Sequence, residues 1–75
     1  MEVAKTLDAK GLACPMPIVR TKKAIEEVNS GDVLEVVATD AGAKSDLTAW
    51  TKSSGHELLE TKEEDGVYTF YVQKG

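Results

Sequence analysis

Val33-Leu34-Glu35-Val36-Val37-Ala38-Thr39 is the stretch around which the rest of the chain arranges itself. Leu34, Val36 and Ala38 recur at every second position and so face one side of a strand, while Glu35 and Thr39 share the other side with Val33 and Val37. One wholly apolar face and one mixed face describe a strand with a core on one side and partial contact with water on the other. Upstream, Ile18, Ile25 and Val28 fall on one helical stripe with Thr21 between them. Asn29-Ser30-Gly31 then ends that helix, with Gly31 the expected left-handed cap. Downstream, Thr39-Asp40-Ala41-Gly42 opens a second helix, with Asp40 as its N-cap and Ala43, Leu47 and Trp50 along one side. Ser53-Ser54-Gly55 closes it.

Further out, Val3, Lys5 and Leu7 alternate with Ala4, Thr6 and Asp8, the period of a short first strand, and Gly11 supplies a positive φ in the turn that follows. Residues 56–62 and 67–73 read as two more strands around Glu64-Asp65-Gly66, where Asp-Gly is a strong hairpin signal. The order is β-α-β-α-β-β, with no repeat, linker or low-complexity segment. The expected fold is an α+β two-layer sandwich, two helices packed on one face of a four-stranded mixed sheet. The sheet contributes Leu34, Val36, Leu58 or Leu59, and Tyr68 with Phe70 to the core.

Composition narrows the functional classes. The 75 residues at positions 1–75 suffice for a single small domain without an enzyme-sized cleft. One cysteine cannot form an internal disulfide, and one cysteine with one histidine cannot assemble a tetrahedral zinc site. A net charge of −4 argues against broad attraction to nucleic-acid phosphates. No apolar run is long enough to span a bilayer, and the amino terminus lacks the pattern of a signal peptide. A cytoplasmic location is expected, where an unpaired thiol stays reduced. No metal or cofactor is called for.

The chemistry gathers at Cys14-Pro15-Met16-Pro17. Both prolines fall in the first turn of the first helix, where backbone N–H groups lack intrahelical partners anyway. Pro15 also disfavours helical φ/ψ at Cys14, which makes Cys14 the expected cap residue, at the positive end of the helix dipole. A helix amino terminus stabilises an anion by about 0.3–1 kcal/mol, so the thiol is mildly activated rather than strongly acidic. Arg20, Lys22 and Lys23 are read in the first half of this helix and Glu26 and Glu27 near its carboxyl end, the reverse of the dipole's preference. A basic patch near Cys14 suits an acidic partner, although the same residues also serve as a plain solvated face. Asp46 reads as a surface residue and Trp50 as core, and His56 opens a distant strand. No paired carboxylates, phosphate loop or nucleophile triad can be assembled.

Leu7-Asp8-Ala9-Lys10-Gly11-Leu12-Ala13-Cys14-Pro15-Met16-Pro17 resembles the amino-terminal signature of the TusA family, also called SirA-like proteins: Leu-Asp, Gly-Leu, then Cys-Pro-x-Pro at a helix start. Thr39-Asp40 with Ser45-Asp46-Leu47 resembles its second segment, and Gly55-His56-Glu57-Leu58 its third. The resemblance implies the same sandwich and a sulfur carrier. Its motif cysteine, here Cys14, accepts sulfane sulfur from a cysteine desulfurase or rhodanese-type donor, holds it as a persulfide and passes it to an acceptor protein. Such a carrier has no direct contact with nucleic acid or membrane, although the wider pathway includes tRNA thiolation or other sulfur and selenium metabolism. Gly11, Pro15 and Pro17 support the motif, and Arg20 and Asp40 match positions near the cysteine that contact partners or tune the persulfide. Family members often carry proline where this chain has Ala41 and Thr48, and the tRNA-thiolating members carry an acid where it has Met16. These differences touch local stiffness and surface, so the fold carries over and the pathway does not.

A sulfurtransferase-type carrier rather than a free-standing turnover enzyme is therefore the leading expectation. Having no second cysteine suits it, because a resolving thiol in the same chain would discharge the persulfide as sulfide. The alternative is a regulatory or protein-interaction module in which Cys14 is redox-sensing or incidental. A peroxide-reducing thiol enzyme fits least, lacking both a resolving cysteine and a base.

Overall fold

In a computed structural model, residues 2–13 and 15–75 are described. The elements run β1 (Lys5–Ala9), α1 (Met16–Ile25), β2 (Val33–Ala38), α2 (Ala43–Ser54), β3 (Glu57–Glu64) and β4 (Val67–Gln73). The sheet order is β1-β2-β4-β3, with β1 parallel to β2 and β4 antiparallel to both β2 and β3. Leu34, Val36 and Ala38 are wholly buried and join Phe70 and Val72 of the sheet, Ala24 and Ile25 of α1, and Ala43 and Leu47 of α2 in one core. Both helices thus lie on one face of a mixed sheet, as the hydrophobic pattern predicts.

Register decides which side chains reach that core. Val36 sits opposite Phe70, and Leu34 opposite Val72. Val72 has the parity of Tyr68 and Phe70 and completes their row. A bulge between Leu58 and Glu60 makes Leu59 the extra residue of β3, so Leu58 packs on the core while Leu59 points outward and is exposed. β3 also runs later than expected, over Glu57–Glu64. The hairpin forms as predicted, with Asp65 at φ 49° and Gly66 at φ 77°, both left-handed, between the paired Glu64 and Val67.

Helix α1 differs from expectation at both ends. It ends at Ile25 with Glu26 as its C-cap, because the N–H groups of Glu26, Glu27 and Val28 donate to the carbonyls of Lys23, Ala24 and Ile25 three residues back. That tightened turn keeps Val28 buried without continuing the helix. Gly31, at φ 89°, serves the turn into β2 instead of capping α1. Lys22 and Lys23 therefore occupy the last helical turn, where the dipole favours cations, and the expected charge reversal does not exist. Glu27 lies past the helix and pairs with Lys5 of β1. The N-cap is Pro15, one residue later than the expected Cys14, which lies outside the described residues.

Helix α2 also starts later than the sequence suggests. Gly42, not Asp40, is its N-cap, with no side-chain capping bond, while Gly55 closes it at φ 82°. Asp40 contributes through its backbone, its carbonyl accepting the Ala43 N–H at 3.1 Å. Among the described residues, no helix is long and apolar enough to cross a membrane.

Candidate functional site

Because β1 and β2 are parallel neighbours with Ala9 opposite Ala38, their carboxyl ends lie side by side. The chain leaves β1 toward Cys14 and leaves β2 toward Asp40, so the topology brings these two segments together at one end of the sheet. They are joined directly: the Gly11 N–H donates to Thr39 Oγ1 at 2.9 Å. Gly11 adopts φ 81°, a left-handed conformation that a side chain would strain. Before it, the Lys10 N–H donates to Asp8 Oδ1 at 3.0 Å and the Leu12 N–H to the Ala9 carbonyl at 3.3 Å.

On the far side of Cys14, the prolines place the helix start. The Met16 N–H donates to the Ala13 carbonyl at 2.9 Å and the Val19 N–H to the Pro15 carbonyl at 3.1 Å. Pro17 is buried in the first turn, and its carbonyl accepts the hydroxyl of buried Thr21 at 2.7 Å. The residues flanking Cys14 are thereby fixed through Thr39 before it and through α1 after it.

The expected site residues are spread more widely than a single patch. Arg20, Lys22 and Lys23 are all exposed. Lys22 and Lys23 lie about 10 Å along the axis from Met16, at the rise of an α-helix. Arg20 stands four residues from Met16, on the side of α1 away from its buried stripe. Beside it are two exposed apolar side chains, Met16 at 37% and Val19 at 49% exposure. They went unremarked in the sequence, though their helical phase opposite Ile18, Thr21 and Ile25 places them outward. Thr39 was also passed over, because its role depends on which loop β2 meets.

Asp40 is half-buried, and among the described residues its Oδ2 is buried with no hydrogen-bond partner. His56 is at the wrong end of the sheet to serve Cys14. It precedes β3, whose first residue Glu57 lines up through Gln73 with Val33 at the start of β2. Its Nδ1 accepts the Gly75 N–H at 3.0 Å and its ring lies 5.1 Å from that of Trp50, a structural role. No group of three or more metal-ligating side chains exists among the described residues. A shallow groove runs along the outside of α2 past Ala41, Lys44, Thr48 and Lys52, away from the core.

Residues 5–74 match the family described as sulfurtransferase TusA. The chain is 65% identical over 75 residues to the protein YrkI of Bacillus subtilis, covering 100% of each. It is 50% identical over 68 residues to the sulfur carrier protein TusA of Allochromatium vinosum, covering 91% of this chain and 90% of that one. The crystal structure of a SirA-like protein from Desulfitobacterium hafniense superposes with a TM-score of 0.83 at 32% identity, covering 95% of this chain and 97% of that one. A shared element order, near end-to-end identity and a common backbone converge: this chain belongs to the TusA family of sulfurtransferases.

Proposed function

We propose that this protein is a sulfur carrier in which Cys14 accepts sulfane sulfur as a persulfide and relays it to an acceptor protein. The observation that carries the reading is the family match over residues 5–74, which contains the Cys14-Pro15-Met16-Pro17 motif at the start of α1. The Cys14 thiolate attacks the outer sulfur of a persulfide on a cysteine desulfurase or rhodanese-type donor. The donor's S–S bond breaks, the donor cysteine leaves as a thiolate, and a persulfide forms on Cys14. An acceptor thiolate then attacks the outer sulfur and releases the Cys14 thiolate. One S–S bond forms and one breaks in each step, so no external oxidant or reductant is needed.

Gly11, Pro15 and Pro17 set the backbone on either side of Cys14, while Arg20, Lys22, Lys23 and Asp40 meet the partner or tune the bound sulfur. The pathway served is tRNA thiolation or another branch of sulfur or selenium metabolism, with the carrier working in the cytoplasm. Incubation with a cysteine desulfurase and free cysteine, followed by intact mass measurement, tests the reading. The expected result is a gain of one or more sulfur atoms, removed by reductant and absent in Cys14→Ser. No gain from either a desulfurase or a rhodanese donor would overturn it and favour the interaction module.

A further inference from the structure

Resting on the carrier reading, we propose that Thr39 is a positioning residue for the Cys14 thiol, acting through the backbone of Gly11. The β1–β2 pairing ends at Ala9 and Ala38, so beyond it the chain leading to Cys14 has left the sheet. The 2.9 Å bond from the Gly11 N–H to Thr39 Oγ1 holds that departing segment to the end of β2. Downstream of Cys14 the chain is held by α1, whose Pro17 is buried. The nearby Lys10 N–H to Asp8 Oδ1 bond is local to one turn and does not cross between strands. Thr39 itself is exposed and lies outside the core, so its hydroxyl has little to do with holding the fold together.

Positioning matters here because the reaction joins two proteins. The attacking sulfur must lie in line with an S–S bond presented by a large partner, and small displacements of a reacting atom lower the rate without changing its chemistry. A loop released at Gly11 retains its thiol but presents it in more orientations. A small reagent, which approaches from any side, does not register that change.

The test compares the parent with Thr39→Val, Thr39→Ala and Thr39→Ser, the alanine guarding against crowding by the valine. Sulfur gain from a cysteine desulfurase is followed over time by intact mass at subsaturating donor, alongside alkylation by iodoacetamide across pH. Thr39→Val and Thr39→Ala are expected to load about five- to ten-fold more slowly, the scale of one lost hydrogen bond at a reacting loop. Thr39→Ser keeps the acceptor oxygen and loads within about two-fold of the parent. The pH profile of alkylation stays the same in all four proteins. Loading of both Thr39→Val and Thr39→Ala at the parent rate, loading of Thr39→Ser as slow as theirs, or an equal fall in alkylation would each overturn the proposal. A parent that loads from neither donor class would instead remove the carrier reading, and this proposal with it.

Discussion

At the scale of single residues, Asp40 is the least comfortable side chain described in the fold. Its Oδ2 is buried without a hydrogen-bond donor among the described residues, although the residue as a whole is only half-buried. A buried acceptor left unsatisfied costs about 1–3 kcal/mol, and the partial exposure of this carboxyl places the cost at the low end. The side chain does not cap α2, since Gly42 holds that position. Nothing in the stability of the chain therefore accounts for a carboxylate here, whereas a role in meeting the partner or the bound sulfur does. Asp40→Ala is expected to leave the urea midpoint unchanged or to raise stability by up to about 1 kcal/mol, while slowing sulfur transfer. A loss of more than about 1 kcal/mol in urea unfolding would show that the carboxylate has a structural partner after all.

At the scale of elements, the uncovered face of the sheet is closed by a polar line that crosses all four strands. Thr6, Glu35, Tyr71 and Glu60 are register partners across β1, β2, β4 and β3. The Thr6 hydroxyl donates to Glu35 Oε1 at 3.1 Å, the Tyr71 hydroxyl bonds Glu35, and Lys62 Nζ lies 5.5 Å from the centre of the Tyr71 ring. The hydrogen bond to the Glu35 carboxylate, with some desolvation and nearby negative charge, pushes the Tyr71 hydroxyl above its ordinary value near 10.0. A group whose pKa is raised by folding stabilises the fold below its unfolded value and loses that contribution as pH rises through the folded one. Tyr71→Phe should therefore narrow the stability difference from the parent as pH climbs above about 10, which denaturant midpoints across alkaline pH will check. Glu35→Gln should bring the Tyr71 absorbance titration back toward the ordinary range. Alternation in the sequence places Glu35 outward, and parity does the same for Tyr71. Their pairing was not legible, because it depends on β4 inserting between β2 and β3. The Leu59 bulge and the early end of α1 escaped for the same reason: tertiary packing, rather than local pattern, fixes them. The buried row of β2, the Asp65-Gly66 turn and the element order were legible because each follows from local periodicity or backbone conformation. At the site, the motif around Cys14 was legible, and the Thr39 contact that holds it was not.

At the scale of the whole molecule, a net charge of −4 hides an uneven distribution. Glu57, Glu60, Glu63 and Glu64 are exposed along β3, the edge strand farthest from β1. Arg20, Lys22 and Lys23 are exposed on α1, which packs over β1 and β2 and begins beside the motif cysteine. The protein is thus electrically polarised, with the cationic side on the helix that carries the proposed sulfur site. Such an arrangement orients an approaching acidic partner and raises the encounter rate, an effect that salt screens. Arg20→Gln, Lys22→Gln and Lys23→Gln combined should slow sulfur loading from an acidic donor about ten-fold at low ionic strength. The deficit should shrink toward nothing as salt is raised, and unfolding should change by no more than about 1 kcal/mol, since only the favourable dipole contacts of Lys22 and Lys23 are lost. The matching neutral variants of Glu60, Glu63 and Glu64 serve as the control, because they remove as much charge from the side facing away. If those variants altered loading as strongly as the α1 set, the net charge rather than its placement would govern the encounter, and the cationic face of α1 would be no more than a solvated surface.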